Sequence, residues 1–336
     1  MPQSDLITAP GASAERVLEF PDNRLLIDLC GAYDAHLAAI EKALDIQIVR
    51  RGNHLSLLGE PEAADRGADL LNALYARLEG GRSVEPADVD SLLRMGSSAQ
   101  GTGVRDGDQI EMPIGQGMEI QTRKKRVEPR TVAQKAYVQS LFDNEMAFGI
   151  GPAGTGKTYL AVAVGVSMFI SGKVDKIILS RPAVEAGEKL GFLPGTQDEK
   201  VDPYMQPLYD ALNDFLPGKQ LAKLREEKTI EIAPLAFMRG RTLSNAFVVL
   251  DEAQNATSMQ MKMFLTRLGR GSRMVITGDR TQIDLPRGVP SGLADAERLL
   301  SGIPKISFNY FSSKDVVRHP LVAAIIEAYE ADAGTA

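Results

Sequence analysis

One run, Gly151-Pro152-Ala153-Gly154-Thr155-Gly156-Lys157-Thr158, constrains this chain more than any other segment. It follows an apolar stretch, Met146 to Ile150, that reads as a strand, and it opens a stretch from Lys157 to Ser171 that reads as a helix. Binding a phosphate chain requires many backbone N–H donors aimed at one point. Gly151, Gly154 and Gly156 give the backbone the freedom to wrap that point closely. The N-terminus of the following helix adds partial positive charge. Eight residues in a strand–loop–helix setting therefore specify a phosphate cradle, with Pro152, Ala153 and Thr155 completing its loop. In such a cradle Lys157 reaches the β and γ phosphates of a nucleotide, and the Thr158 hydroxyl coordinates Mg²⁺.

The surrounding pattern fits the sheet this motif needs. From Thr131 onward, strand-like and helix-like segments alternate, as a parallel α/β sheet requires. Strands are expected at Met146 to Ile150, Lys176 to Ser180, Thr229 to Ala233, Phe247 to Leu250, Arg273 to Thr277 and Lys305 to Phe308. Helices are expected at Thr131 to Phe142, Lys157 to Ser171, Pro203 to Leu216, Ser258 to Leu268, Ser291 to Leu300 and Ser313 to Glu330. The expected fold is α/β, a RecA-like P-loop NTPase core with a parallel sheet over residues 131–336.

Phe247-Val248-Val249-Leu250 followed by Asp251-Glu252 is an apolar strand that delivers two carboxylates to its C-terminal edge, where ligands bind in open α/β sheets. Asp251 is expected to hold Mg²⁺ together with Thr158. Glu252 is expected to orient and polarise the attacking water, a role that favours hydrolysis over transfer to another acceptor. After the next strand comes Thr277-Gly278-Asp279-Arg280-Thr281-Gln282, from which Gln282 can sense the γ-phosphate or the water. The order Asp251-Glu252-Ala253-Gln254, then Gly278-Asp279 through Gln282, resembles motifs II and III of superfamily 1 helicases. Upstream, Gln134 in Pro129-Arg130-Thr131-Val132-Ala133-Gln134 stands where that superfamily carries its adenine-reading glutamine. Its amide can offer a donor and an acceptor. No guanine-reading Asn-Lys-x-Asp motif is present, so ATP is the expected nucleotide.

At 336 residues the length suits two domains. Residues 1–85 read as a small α+β domain: a strand at Leu25 to Leu29, a helix at Tyr33 to Leu44, strands at Ile46 to Val49 and Leu55 to Leu58, and a helix at Pro61 to Leu78. This order resembles a KH-type RNA-binding domain, with Gly31-Ala32-Tyr33-Asp34 in place of the GXXG clamp. The second glycine of the clamp is replaced by Asp34, whose carboxylate repels phosphate. Direct RNA binding and a scaffold for partner or subunit contacts both stay open for this KH-like domain. Residues 86–130 read as a junction with a helical patch at Ala87 to Met95, β-like pieces at Gln109 to Met112 and Met118 to Gln121, and the basic run Arg123-Lys124-Lys125-Arg126.

The composition, 44% hydrophobic and 24% charged, is that of an ordinary globular protein. The single cysteine, Cys30, excludes an internal disulfide framework and a cysteine metal cluster. The N-terminus lacks a signal-peptide pattern, and the longest apolar run, Tyr159 to Ile170, is too short to span a bilayer. A cytoplasmic protein without membrane contact is expected. The net charge of −6 gives no global attraction to nucleic acid, so any such binding has to use local basic groups.

Together the phosphate cradle, Asp251-Glu252-Ala253-Gln254-Asn255, Ser180-Arg181-Pro182 through Gly195, and Gly278 through Gln282 resemble the PhoH family of ATPases over most of residues 131–336, and the upstream module resembles the N-terminal region of bacterial PhoH-like proteins. On this resemblance the chain is expected to be of the kind without the PIN nuclease domain of longer relatives. The resemblance implies a cytoplasmic ATPase of RNA metabolism, a homo-oligomer, with RNA and an rRNA-maturation endoribonuclease as partners. With one RecA-like core, a second positive charge for the site is expected from a neighbouring subunit: Arg239, Arg241, Arg267 or Arg318. Arg181 is the expected nucleic-acid contact. Two other functions remain open from the residues alone: a small-molecule kinase, and a nucleotide-gated binding module with little turnover.

Overall fold

Two apolar pentapeptides, Met146–Ile150 and Ala246–Leu250, are buried at every position, as the central strands of a sheet covered on both faces must be. They anchor the larger of two compact units, Met1–Gly117 and Met118–Ala336. The computed structural model describes residues 14–98, 118–182, 197–286 and 288–317.

The smaller unit runs β1 (Ala14–Glu19), α1 (Asn23–Cys30), α2 (Ala35–Leu44), β2 (Gln47–Arg51), β3 (His54–Gly59), α3 (Pro61–Glu79) and α4 (Pro86–Ser98). Its antiparallel sheet has the order β1-β3-β2. The segment Leu25 to Leu29, expected as a strand, is instead the middle of α1. Asp22 caps the helix by accepting from the Arg24 amide, and Leu26, Leu29 and Cys30 are buried at helical spacing while Ile27 and Asp28 face solvent. The true first strand lies upstream and pairs with β3 from Ala14↔Gly59 to Glu19↔His54. Gly31-Ala32-Tyr33-Asp34 therefore links two helices. Tyr33 and Asp34 both have left-handed backbone there, and a Cβ at Gly31 would meet the His36 ring at 2.8 Å. Val89 and Leu93 of α4 join the core formed by α1, α2, α3 and β3.

The larger unit begins with a two-stranded hairpin, β4 (Ile120–Gln121) and β5 (Arg126–Val127). There follow α5 (Val132–Asp143), β6 (Met146–Ile150), α6 (Lys157–Ile170), β7 (Lys176–Arg181), α7 (Gln197–Phe215), α8 (Gly218–Glu226), β8 (Ile230–Pro234), β9 (Ala246–Leu250), α9 (Ser258–Leu265), β10 (Arg273–Gly278), α10 (Gly292–Leu300) and β11 (Ile306–Tyr310). Six strands form one sheet in the order β11-β6-β10-β9-β7-β8, and every pairing is parallel. This is the parallel α/β core the sequence predicts. Among the described residues of this unit, α8, between α7 and β8, and the short strand β5 were not anticipated. Of the last predicted helix, Ser313 to Glu330, the described part is a single turn at Ser313–Asp315 after which Val316 is extended, so no helix continues through Val317; residues 318–330 lie outside the described residues, as does the β-like piece at Gln109 to Met112.

Each face of the sheet has its own core. One packs α5, α6, α7 and α8 against inward residues such as Ile177, Phe247 and Val249; the other packs α9 and α10 against Ile178, Val248 and Leu250. Helix α6 is apolar nearly throughout and lies so close that a Cβ on Gly165 would meet the Phe247 ring at 2.6 Å. Among the described residues no helix is long and apolar enough to cross a membrane.

The basic run lies on the β4–β5 hairpin, and most of it is engaged within the chain. Lys125 Nζ lies 2.7 Å from Asp214 Oδ2 and over the rings of Tyr159 and Phe215, Lys124 Nζ donates to the Asn213 carbonyl, and Arg126 pairs with Glu119. The run fastens the hairpin to α6 and α7.

Candidate nucleotide site

The cradle lies at the C-terminal end of β6, between the ends of β10 and β11. Gly151 has a φ of 152°, and a Cβ there would lie 2.5 Å from the Phe311 carbonyl oxygen, so the loop closes against the chain after β11 only because this residue is glycine. Its amide donates to the Gly278 carbonyl, and the Val317 amide donates to the Gly154 carbonyl. Gly154 and Gly156 are left-handed, with Gly156 serving as N-cap of α6. Ala153 is half-buried in the loop, while Pro152 offers its carbonyl to the Thr155 hydroxyl at 2.9 Å and to Lys157 Nζ at 2.7 Å. The ammonium also donates to the Gly151 carbonyl at 2.7 Å. It therefore sits inside the cradle, surrounded by loop oxygens.

The groups expected to hold Mg²⁺ come together across the sheet. Thr158 Oγ1 donates to Asp251 Oδ1 at 2.5 Å, and Thr277 Oγ1 donates to the same oxygen at 2.7 Å. Register explains the second contact: Ile276 of β10 pairs with Leu250 of β9, so the next residues, Thr277 and Asp251, emerge side by side. Thr277 was missed in the sequence as a site residue, because its nearness to Asp251 follows from the β9–β10 pairing. Two hydroxyls and a buried carboxylate beside a phosphate loop are hard oxygen donors of the kind Mg²⁺ takes, with the hydroxyl and carboxylate as metal-side groups.

Glu252 stands at the same edge with left-handed backbone, φ 51° and ψ 39°. Both of its carboxylate oxygens have protein partners: Oε1 lies 3.1 Å from Arg181 Nη2, and Oε2 accepts from Gln254 Nε2 at 2.6 Å. Gln254, to which the sequence motif alone assigns no role, is fully buried. It joins two loops, since Nε2 also donates to the Gln282 carbonyl at 3.1 Å and Oε1 accepts from the Asp279 amide at 3.0 Å. The Gln282 side chain is exposed and donates to Asp279 Oδ2 at 2.8 Å, so its connection to Glu252 runs through Gln254.

Gln134 is buried against the cradle. Nε2 donates to the Thr155 carbonyl at 3.0 Å and Oε1 accepts from the Arg130 amide at 2.6 Å, which leaves the amide one hydrogen and one lone pair for a further partner. Near it the Tyr137 hydroxyl is buried without a hydrogen-bond partner, and burial, reinforced by the charge of Asp251, pushes its pKa far above the ordinary tyrosine value. Tyr137 is a core residue behind β6 and stays neutral.

The arginines divide. Arg241 makes two hydrogen bonds to Glu231, at 2.6 and 2.7 Å, and Arg267 donates to the carbonyls of Met263 and Arg241. Both are structural within one chain. Arg239 is exposed on the turn after Met238, and Arg318 lies outside the described residues.

A phosphate loop, an Asp-Glu pair and a second loop ending in Gln282 thus meet at one sheet edge, and the comparisons with known proteins agree on what such a chain is. The sequence profile of the family described as PhoH-like protein matches residues 126–330. The chain belongs to the PhoH-like protein family. A PhoH-like protein of Bacillus subtilis is 49% identical over 93% of this chain and 96% of its own length. A PhoH-like protein of Synechocystis is 41% identical over 95% of each. Protein PhoH of Escherichia coli K12 is 45% identical over 60% of this chain and 57% of its own. Family membership therefore extends through both units in the first two relatives and is confined to part of the chain in the third. Among solved structures, a Sulfolobus solfataricus SWI2/SNF2 ATPase core in complex with dsDNA covers 58% of this chain and 47% of its own at 15% identity, with a TM-score of 0.36, too loose a likeness to bear on function.

Proposed function

We propose that this family member is a Mg²⁺-dependent ATPase whose turnover is coupled to RNA. The observation that carries the reading is the contact of Thr158 and Thr277 with one oxygen of Asp251, directly beside the Lys157 cradle. The loop amides and Lys157 bind the phosphates, and Thr158 with Asp251 would hold Mg²⁺, whose chemistry is to neutralise charge on the phosphate oxygens. Glu252 takes up the proton-accepting, water-orienting role at the end of β9, and Gln282 is tied to it through Gln254. Gln134, packed on the loop, keeps one donor and one acceptor for an adenine edge. Arg239, exposed and away from the intrachain pairs of Arg241 and Arg267, is the residue proposed to reach the site of a neighbouring copy in a homo-oligomer. The RNA link, the endoribonuclease partner and a cytoplasmic setting are supported by the family resemblance.

The test is phosphate release from ATP, with and without single-stranded RNA, with Lys157→Ala as control. Hydrolysis predicts free phosphate in step with ADP, lost in Lys157→Ala. ADP appearing with a phosphorylated acceptor and no free phosphate would make the protein a kinase. Glu252→Gln is expected to retain ATP and to slow single-turnover hydrolysis by about 10²–10³-fold.

A further inference from the structure

The Glu252 carboxylate, read above as the acceptor of the water proton, is engaged at both oxygens, by Arg181 at one and Gln254 at the other. A carboxylate oxygen held in an ion pair with a guanidinium is turned toward that partner and away from a water in the site. The Gln254 contact comes from a buried amide fixed by three partners. The Arg181 contact is of a different kind. Its side chain is 21% exposed and that of Glu252 36%, so the pair is reached by solvent, and ion pairs in that setting are weak and exchangeable. Arg181 ends β7 at the C-terminal edge of the sheet, with Nη1 donating to the Tyr204 carbonyl of α7 at 3.0 Å. That second bond anchors the guanidinium while the Nη2 edge can change partners. The planar fork of arginine matches phosphate oxygens as well as carboxylate oxygens.

The phosphate concerned is not one the cradle already holds. In the sheet, β7 stands three positions from β6, about 14 Å at a strand spacing of ~4.8 Å, so Arg181 begins well to one side of the loop. Of the basic run on the β4–β5 hairpin, Lys124, Lys125 and Arg126 are held within the chain. Resting on the reading of Glu252 as the water-orienting base, we propose that Arg181 is an exchangeable restraint on that base. A phosphodiester of an RNA strand takes the Nη2 edge of Arg181, Glu252 is released toward water, and RNA occupancy thereby raises hydrolysis. By linkage, whatever loosens Glu252 from Arg181 must tighten RNA on Arg181.

The closing experiment needs no hydrolysis. Affinity for a single-stranded oligouridylate is measured at low salt, without nucleotide, for wild type, Glu252→Gln, Arg181→Gln and the double variant. Neutralising Glu252 is expected to tighten the RNA about three- to tenfold in the Arg181 background, and that gain is expected to vanish when Arg181 is replaced. An equal gain in both backgrounds, no gain in either, or no measurable binding by wild type overturns the proposal. A cycle of the same form seen in affinity for a non-hydrolysable ATP analogue, and not in RNA, would assign Arg181 to the γ-phosphate and likewise overturn it. In parallel, RNA-independent kcat is expected to rise in Arg181→Gln with loss of RNA stimulation, whereas a residue that only stabilises the fold would lower both together. Arg181→Lys, which keeps the charge and loses the fork, is expected to fall between. Absence of Lys157-dependent phosphate release in wild type would refute the ATPase reading, and the binding cycle would still decide the fate of the Arg181 restraint.

Discussion

At Glu252 the backbone and the side chain make opposite demands. A left-handed conformation costs an L-residue roughly 1 kcal/mol, and only the side chain gives a reason to keep glutamate there. Glu252→Gly is therefore expected to be more stable than Glu252→Ala by about 1 kcal/mol in urea unfolding, while both lose hydrolysis. A larger stability in the alanine variant would remove the argument for strain. Gln254 is the sharper case. Its replacement by alanine strips the buried Asp279 amide of its acceptor and removes the fixed amide that positions the Glu252 carboxylate and ties it to the Gln282 loop, so a loss of about 1–3 kcal/mol and a fall in kcat larger than any change in KM are expected. Steady-state kinetics beside a melting curve would check both. The residues of the cradle and the Asp251-Glu252 pair were legible because their spacing is dictated by a ligand. Gln254, Thr277 and the Arg181–Glu252 pair were not, because each depends on which strands become neighbours, and sequence order does not say that β9 lies between β10 and β7.

The elements themselves differed in legibility for a related reason. All six strands of the parallel sheet were readable as apolar runs between helical patterns. Helix α1 was not, since Leu25-Leu26-Ile27 looks like a buried strand until the exposure of Ile27 shows a helical face. Strand β1 carries Glu15, Arg16 and Glu19 at exposed positions and so offers little apolar signal. Two predictions belong at this scale. Helix α6 packs so tightly on β9 that Gly165→Ala, although better suited to a helix by about 1 kcal/mol, is expected to be net destabilising by 1–2 kcal/mol in urea unfolding, because the Cβ meets the Phe247 ring. The hairpin β4–β5 is held to α7 by Lys125 and Asp214, and the hydrogen bond from Lys125 keeps the Asp214 carboxyl below its usual range against the opposing effect of burial. A depressed folded-state value means that the contribution is present above the unfolded value, about 4, and is lost as pH falls through the lower folded one. Asp214→Asn is expected to flatten the melting temperature against pH in that acidic window and to leave the profile above pH ~6 unchanged in shape.

The molecule as a whole is two units with separate cores, and their unfolding need not coincide. Leu71→Ala, at a fully buried site of the smaller unit, is expected to cost about 2–5 kcal/mol and to shift only one of two urea transitions, the other being moved by the Gly165 substitution. A single shared transition shifted by both would show that the units unfold as one. The sheet order carries a further consequence, for synthesis. Strand β6, which bears the cradle, pairs with β10 and β11, the last two strands among the described residues, and Gly151 closes against Phe311 beyond them. On the ribosome the cradle residues emerge near the middle of the chain and wait for about a third of the protein before β10 can pair with their strand, and for nearly half before β11 can. A nascent chain ending before Ile306 should therefore fail to retain ATP, and nucleotide capture would mark the moment at which the growing polypeptide finishes its own sheet.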